Sequence, residues 1–144
     1  MHHIGSTSIE GIWAKPIIDI LLEIPRSEDM ESIERELLEQ GYLLMSESEG
    51  RMSFNKGYTL QGFAERVFHL HLRYYGDHDE LYFRDYLQDH PAVAKDYEQL
   101  KLILWKKYEH NRDAYTEAKR DFIRQYTQKA HKLYEGRYER RHDF

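Results

Sequence analysis

The stretch Lys15-Pro16-Ile17-Ile18-Asp19-Ile20-Leu21-Leu22-Glu23-Ile24-Pro25 decides the fold. A run rich in β-branched residues between two prolines reads as a buried strand over residues 17–24. Proline has no N–H to give a ladder, so Pro16 and Pro25 mark its ends. Side chains alternate across a strand. Ile18, Ile20, Leu22 and Ile24 therefore share one face, expected to lie under helices. Ile17, Asp19, Leu21 and Glu23 share the other. Asp19 stands mid-strand among isoleucines. A carboxylate there is costly unless it is ion-paired, exposed on an open sheet face or bound to a metal.

Upstream lies His3-Ile4-Gly5-Ser6-Thr7-Ser8. Glycine before small hydroxyl residues permits a tight turn and close backbone approach. A helix starting near Ser8 or Ile9 would aim free N–H groups at an incoming anion; a plain helix cap is the other reading. Downstream, Ser27 is placed to cap a helix running to about Gln40, with Ile33, Leu37 and Leu38 apolar and Gly41 ending it. Residues 42–45, 51–56 and 66–75 read as strands, the last two separated by Gly57 and Gly62. Within Phe68-His69-Leu70-His71-Leu72-Arg73, period two sends His69, His71 and Arg73 to one side. Two histidines at i and i+2 can converge on a metal or a phosphate, or form a solvated pair.

Beyond residue 75 the pattern changes. No glycine stands between Gly76 and Gly136, and Pro91 is the only proline there. The spacing predicts a helix over residues 79–88 capped by Asp77, a second from Pro91 to about His110, and a third over 113–134. In the third, Ala114, Ala118, Phe122, Tyr126 and Ala130 recur every four residues. Trp105, Tyr108, Tyr115, Phe122 and Tyr126 read as packing, and Arg84 with Asp85 as a structural ion pair. The expected fold is α+β: a small mixed β-sheet with helices on one face and a C-terminal helical hairpin. One domain over residues 1–135 is expected, sheet-rich over 1–75 and helical over 76–135, with a disordered tail at 136–144.

Composition narrows the function. A chain of 144 residues with 40% apolar residues can bury one core without staples. It has no cysteine, which excludes a thiol nucleophile and a zinc–thiolate site. No apolar run approaches the length of a membrane span, and Met1-His2-His3-Ile4-Gly5 lacks the pattern of a signal peptide. A cytoplasmic protein is expected. The net charge of −5 argues against duplex nucleic acid as a partner. Gly5-Ser6-Thr7-Ser8 has neither the spacing nor the lysine of a P-loop.

Several motifs in order resemble the GrpB (UPF0157) family. They are His3-Ile4-Gly5-Ser6-Thr7-Ser8, Lys15-Pro16-Ile17-Ile18-Asp19, His69-Leu70-His71-Leu72 and Phe83-Arg84-Asp85-Tyr86-Leu87. Tyr97-Glu98-Gln99-Leu100-Lys101 comes next, then Tyr115, Lys119 and Phe122. That family looks like a branch of the nucleotidyltransferase superfamily, marked by a Gly-Ser turn, a spacer of about a dozen residues and a strand bearing acidic residues. The resemblance implies that Gly5, Ser6 and Thr7 cradle phosphates and that Asp19 holds a divalent ion, Mg²⁺ or Mn²⁺. By position Lys15 and Arg73 could reach a phosphate, and Lys101 and Lys119 could form a basic wall as helical partners do in small nucleotidyltransferases; solvated surface lysines are the other reading of Lys15, Lys101 and Lys119.

This chain departs from the superfamily pattern where a second carboxylate should stand, at Leu21. Glu23 is on the same face but one side-chain pair further on. His69 and His71 could complete an Asp-His-His set if their strand neighbours that of Asp19, a set suited to a transition metal. The implied activity is metal-assisted transfer of a nucleotidyl group to a small acceptor, with His69 or His71 as ligand or base. The alternative is a non-catalytic module that binds a nucleotide or phosphorylated small molecule. Relatives usually carry a further segment before the His-Ile-Gly-Ser motif. Without it, apolar surface should be uncovered, so either pairing into a homodimer or reduced stability is expected.

Overall fold

The computed structural model describes residues 1–13, 17–59 and 62–139. Two compact units are formed, Met1–Ser8 with Ala14–His78, and Ile9–Trp13 with Asp79–Phe144.

The first unit is a five-stranded sheet with one helix. Its strands are β1 (His2–Ile4), β2 (Ile17–Ile24), β3 (Leu43–Ser48), β4 (Arg51–Thr59) and β5 (Gly62–Tyr74), in the order β1-β2-β5-β4-β3. β2 and β5 are parallel, and every other neighbouring pair is antiparallel. The sheet is thus mixed, as expected. The parallel pair is central, and the helix α1 (Met30–Glu39) lies in the connection after β2.

Alternation along β2 sorts the faces as the sequence pattern requires. Ile20, Leu22 and Ile24 join Leu70 and Leu72 of β5, Met52 and Phe54 of β4, and Met30, Ile33 and Leu37 of α1 in one apolar cluster. Phe54 and Leu72 are wholly or almost wholly buried. Each such side chain contributes about 1.5–3 kcal/mol relative to exposure.

Both ends of α1 have local causes. Asp29 is the cap, its side chain accepting the N–H of Glu31 at 3.1 Å. Ser27, the residue expected there, lies in the preceding turn, because the helix starts later than its pattern suggested. At the other end Gly41 takes φ +93°. Its N–H donates to Leu38 O, and that of Tyr42 donates to Leu37 O. These two bonds make a Schellman ending, sealed by Tyr42 and Leu37 in the same apolar cluster.

The second unit contains α2 (Asp79–Asp89), α3 (Pro91–Lys107) and α4 (Arg112–Leu133). Pro91 opens α3 with His90 before it, as the pattern required. Asn111 caps α4 through the N–H of Ala114. Asp77, read as the cap of α2, instead has its carboxylate engaged by Arg51.

α4 packs on both earlier helices. Tyr97 stacks on Phe122, Tyr86 meets Tyr126, and Tyr82 stacks on His131 at 4.0 Å. The segment Ile9–Trp13 belongs to this unit, with Ile9 buried among Leu87, Ala94 and Tyr97. The C-terminal turn is also held. Asp85 accepts from Tyr138 Oη and from Arg137 Nη1, and pairs with its neighbour Arg84. Disorder expected from residue 136 onward is therefore corrected for Arg137 and Tyr138: a buried acid ties them down. Residues 140–144 lie outside the described residues.

Candidate functional site

Paired residues in a sheet project to the same side, so the register defines a grid. One row is Asp19, His69 and Asn55; the next is Leu21, His71 and Ser53; the third is Glu23, Arg73 and Arg51. The condition set by the sequence is met: the strand of the two histidines lies directly beside that of Asp19. His71 Nε2 stands 3.2 Å from Asp19 Oδ1, and His69 Nδ1 stands 3.8 Å from the same oxygen. The side chains of Asp19, His69 and His71 keep 26%, 24% and 25% of their surface accessible. They are shielded enough for a charge to need a partner and open enough to receive one.

Gly5 closes the other side of the carboxylate. β1 pairs Ile4 with Asp19, and the chain turns at Gly5 with φ +77°. A Cβ built on Gly5 would fall 2.5 Å from Asp19 Oδ2. Only glycine satisfies both the left-handed backbone and this approach. Ser6–Ser8 then make a single 3-10 turn, and not the start of a longer helix. No helix begins at Ser8 or Ile9, so the expected array of helical N–H groups is not formed there; the Ser8 N–H and hydroxyl both donate to Gly5 O and close the turn. The Thr7 hydroxyl donates to Ile17 O at 3.1 Å and contacts His3 Nε2 at 2.8 Å. Its hydrogen is then used, so His3 Nε2–H is the donor in that second bond. Thr7 ties the turn to β2.

The neighbouring carboxylate and guanidinium have local partners. Glu23 Oε1 is 2.8 Å from His78 Nδ1, both largely buried. Arg73 Nη1 is 3.7 Å from Asp77, which is also gripped in a two-bond fork by Arg51 at 2.6 Å. Leu21, one side-chain pair beyond Asp19 on the same side of β2, is 0% exposed. One strand carboxylate, Asp19, is thus left facing the imidazoles. Among the described residues no three His, Asp or Glu side chains form a ready-made metal cage.

Sequence reasoning passed over Asn55. It is 6% exposed, and among the described residues its Oδ1 has no hydrogen-bond partner. The signal was present in Met52-Ser53-Phe54-Asn55, where period two puts Ser53 and Asn55 on the polar face.

Lys101 and Lys119 belong to the second unit. Lys101 is buried there, with Nζ 3.5 Å from Trp13 O and 5.1 Å from the ring centre of Tyr97. Lys119 lies over Tyr115 at 4.5 Å. Burial of the Tyr115 ring pushes its hydroxyl pKa up. Lys15 lies outside the described residues.

The GrpB protein family model matches residues 1–129. The chain belongs to the GrpB family. Among its GrpB relatives, the glutamate-rich protein GrpB of Alkalihalophilus pseudofirmus is 39% identical over 125 residues, covering 83% of this chain and 71% of that protein. The UPF0157 protein YqkA of Bacillus subtilis is 34% identical over 95% of this chain, which spans 40% of that protein. A crystal structure of the conserved protein GrpB from Enterococcus faecalis superposes with a TM-score of 0.76 at 32% identity, covering 92% of this chain and 80% of that one. The mixed sheet with its helices is therefore a GrpB architecture. No helix among the described residues is long and apolar enough to cross a membrane.

Proposed function

We propose that this chain binds a nucleotide or another phosphorylated small molecule on the face bearing Asp19, His69 and His71, with one divalent ion on Asp19. The observation that carries this reading is the convergence of two imidazoles on one oxygen of a mid-strand carboxylate, at 3.2 and 3.8 Å, beside the exposed Gly5. Ligands about 2.0–2.2 Å from a shared ion stand roughly 3–3.5 Å from each other, so the spacing of Asp19 and His71 suits a common ion. Asp19 with His71, completed by water and ligand oxygens, would suit Mn²⁺ or a later transition ion. Mg²⁺ would rest on Asp19 with phosphate oxygens and water. Such an ion would neutralise phosphate charge. Gly5 and Ser6 would offer the backbone against which a phosphate packs.

Binding is favoured over turnover by two neighbours of Asp19. Leu21 is fully buried, and Glu23 is engaged by His78, so a second ion has no carboxylate here. The test is calorimetric titration of the full chain with ATP, with Mn²⁺, with Mg²⁺ and with neither. Binding should require the ion, and Asp19→Asn should weaken it at least about tenfold. Full affinity in Asp19→Asn would reject the assignment.

A second reading, nucleotidyl transfer to a small acceptor, is favoured by the His71–Asp19 contact. A carboxylate beside an imidazole forms a dyad able to take a proton from an acceptor hydroxyl. It predicts release of pyrophosphate from ATP in the presence of an acceptor, lost in both Asp19→Asn and His71→Gln. No release across a panel of hydroxyl and amine acceptors leaves binding as the function.

A further inference from the structure

We propose that the outer edge of β3 pairs with β3 of a second copy of this chain, antiparallel across a two-fold axis at Leu44, so that two sheets join into one. This goes beyond the ligand reading above and does not depend on it.

Three observations carry the proposal. β3 is the last strand of the sheet, so one side of its backbone has no strand beside it among the described residues. All six of its residues are exposed. Three large apolar side chains follow one another there: Leu43, Leu44 and Met45 are 59%, 38% and 61% exposed. A bare strand edge is a template for another strand, and folded proteins usually blunt it with lysine, proline or a bulge. β3 contains neither lysine nor proline. Its one irregularity lies between Leu44 and Ser46, where the ladder with β4 skips Met45 and leaves that side chain in solvent. A contiguous apolar edge of this kind marks a protein contact made by strand addition.

The occupant is a second copy because the edge complements itself. Directly opposed residues of an antiparallel pair point to one side of the sheet. A two-fold axis through Leu44 sets Leu44 against the partner's Leu44, and Leu43 against the partner's Met45, twice. Every exposed apolar side chain of the edge then meets another. The same register sets the partner's Glu47 opposite Gly41, and Lys56 stands there. Its ammonium lies 5.4 Å from the ring centre of Tyr42, and a Cβ built on Gly41 would be 3.9 Å from Nζ. Glu47 pairs with Met52 and so points to the α1 side of the sheet, the side on which Lys56 covers Tyr42. Two contacts of Glu47 with Lys56 therefore flank the apolar centre, one at each end. A patch that matches itself is the isologous kind, which closes as a dimer.

Sedimentation velocity of the full chain at concentrations up to about 100 µM tests this. The wild-type chain should run as a dimer. Met45→Lys should run as a monomer with an unchanged circular dichroism spectrum. Leu43→Lys, on the other side of the same contact, should do likewise and decides the matter should Met45→Lys fail to fold. Glu47→Lys and Lys56→Glu should each weaken dimerisation at least about tenfold, and the double variant should restore it. A monomeric wild-type chain overturns the proposal and leaves the edge to a different partner. A dimer that survives Met45→Lys and Leu43→Lys uses another surface and overturns it too. Failure of the double charge swap to restore pairing overturns the two-fold at Leu44.

Discussion

Gly5 and Asp19 are in such close contact that a single methyl group on Gly5 would overlap the carboxylate, with a Cβ–Oδ2 separation of 2.5 Å. The three-residue strand β1 creates this contact by pairing Ile4 with Asp19. Thr7 reinforces it by bonding the turn to Ile17 at the start of β2. One oxygen of Asp19 thus faces the glycine backbone, and the other faces His71 and His69. The acid is oriented before any ligand arrives.

Gly5→Ala should lose about 1–2 kcal/mol from its left-handed backbone alone, and more from the overlap. In an Asp19→Ala background the overlap is gone, and the cost should fall to the backbone share. Urea unfolding of the four chains of this cycle measures the difference. Equal costs in the two backgrounds would contradict the contact.

Leu21→Asp places a second acid on the Asp19 side of β2 and should not create a metal site. Leu21 is wholly buried, so the change removes apolar packing and buries an unpaired charge. A loss of about 3 kcal/mol or more is expected. Chemical denaturation with and without Mn²⁺ reads it; a stable variant that gains metal affinity would refute the expectation.

Asp85→Ala should release the C-terminal turn. Asp85 is the shared acceptor of Arg84, Arg137 and Tyr138, and its removal leaves those donors without it. A loss of about 1–3 kcal/mol is expected. Trypsin should cut after Arg137 faster than in the wild-type chain, with the fragments identified by mass.

Stability should fall at alkaline pH. Burial pushes the Tyr138 hydroxyl pKa up, helped by its bond to Asp85. Burial likewise raises that of Tyr134, with Asp89 adding to the shift. A raised folded pKa means that the neutral phenol is favoured in the fold. The associated stability is complete below the ordinary value of about 10 and is lost as pH rises through the raised one. Melting temperatures measured upward from about pH 9 should decline, and Tyr138→Phe should flatten part of that decline.

The strands and helices were legible because their signals are local. Alternation fixed the faces of β2 and β5, proline marked β2 and opened α3, and glycine ended α1. Signals that compete at short range were misread. Ser27 and Asp29 are both good caps, and only Asp29 meets an N–H at the right place. Asp77 reads as a cap until Arg51, distant in sequence, captures it. The His-Ile-Gly-Ser segment reads as a turn or cap, because a strand of three residues carries too little pattern to reveal itself.

By itself, the sequence determined that an acid and two histidines stand on the polar sides of two strands, since period two is a consequence of backbone geometry alone. It also determined family membership, through motifs kept in order. The tertiary structure alone decided that those strands are parallel neighbours in a register that matches Asp19 with His69. It likewise assigned Glu23 to His78 and left Asn55 Oδ1 without a hydrogen-bond partner among the described residues. Each of those depends on which distant segment arrives beside a residue, and strand order and register are set by packing of the whole sheet, which no local pattern encodes.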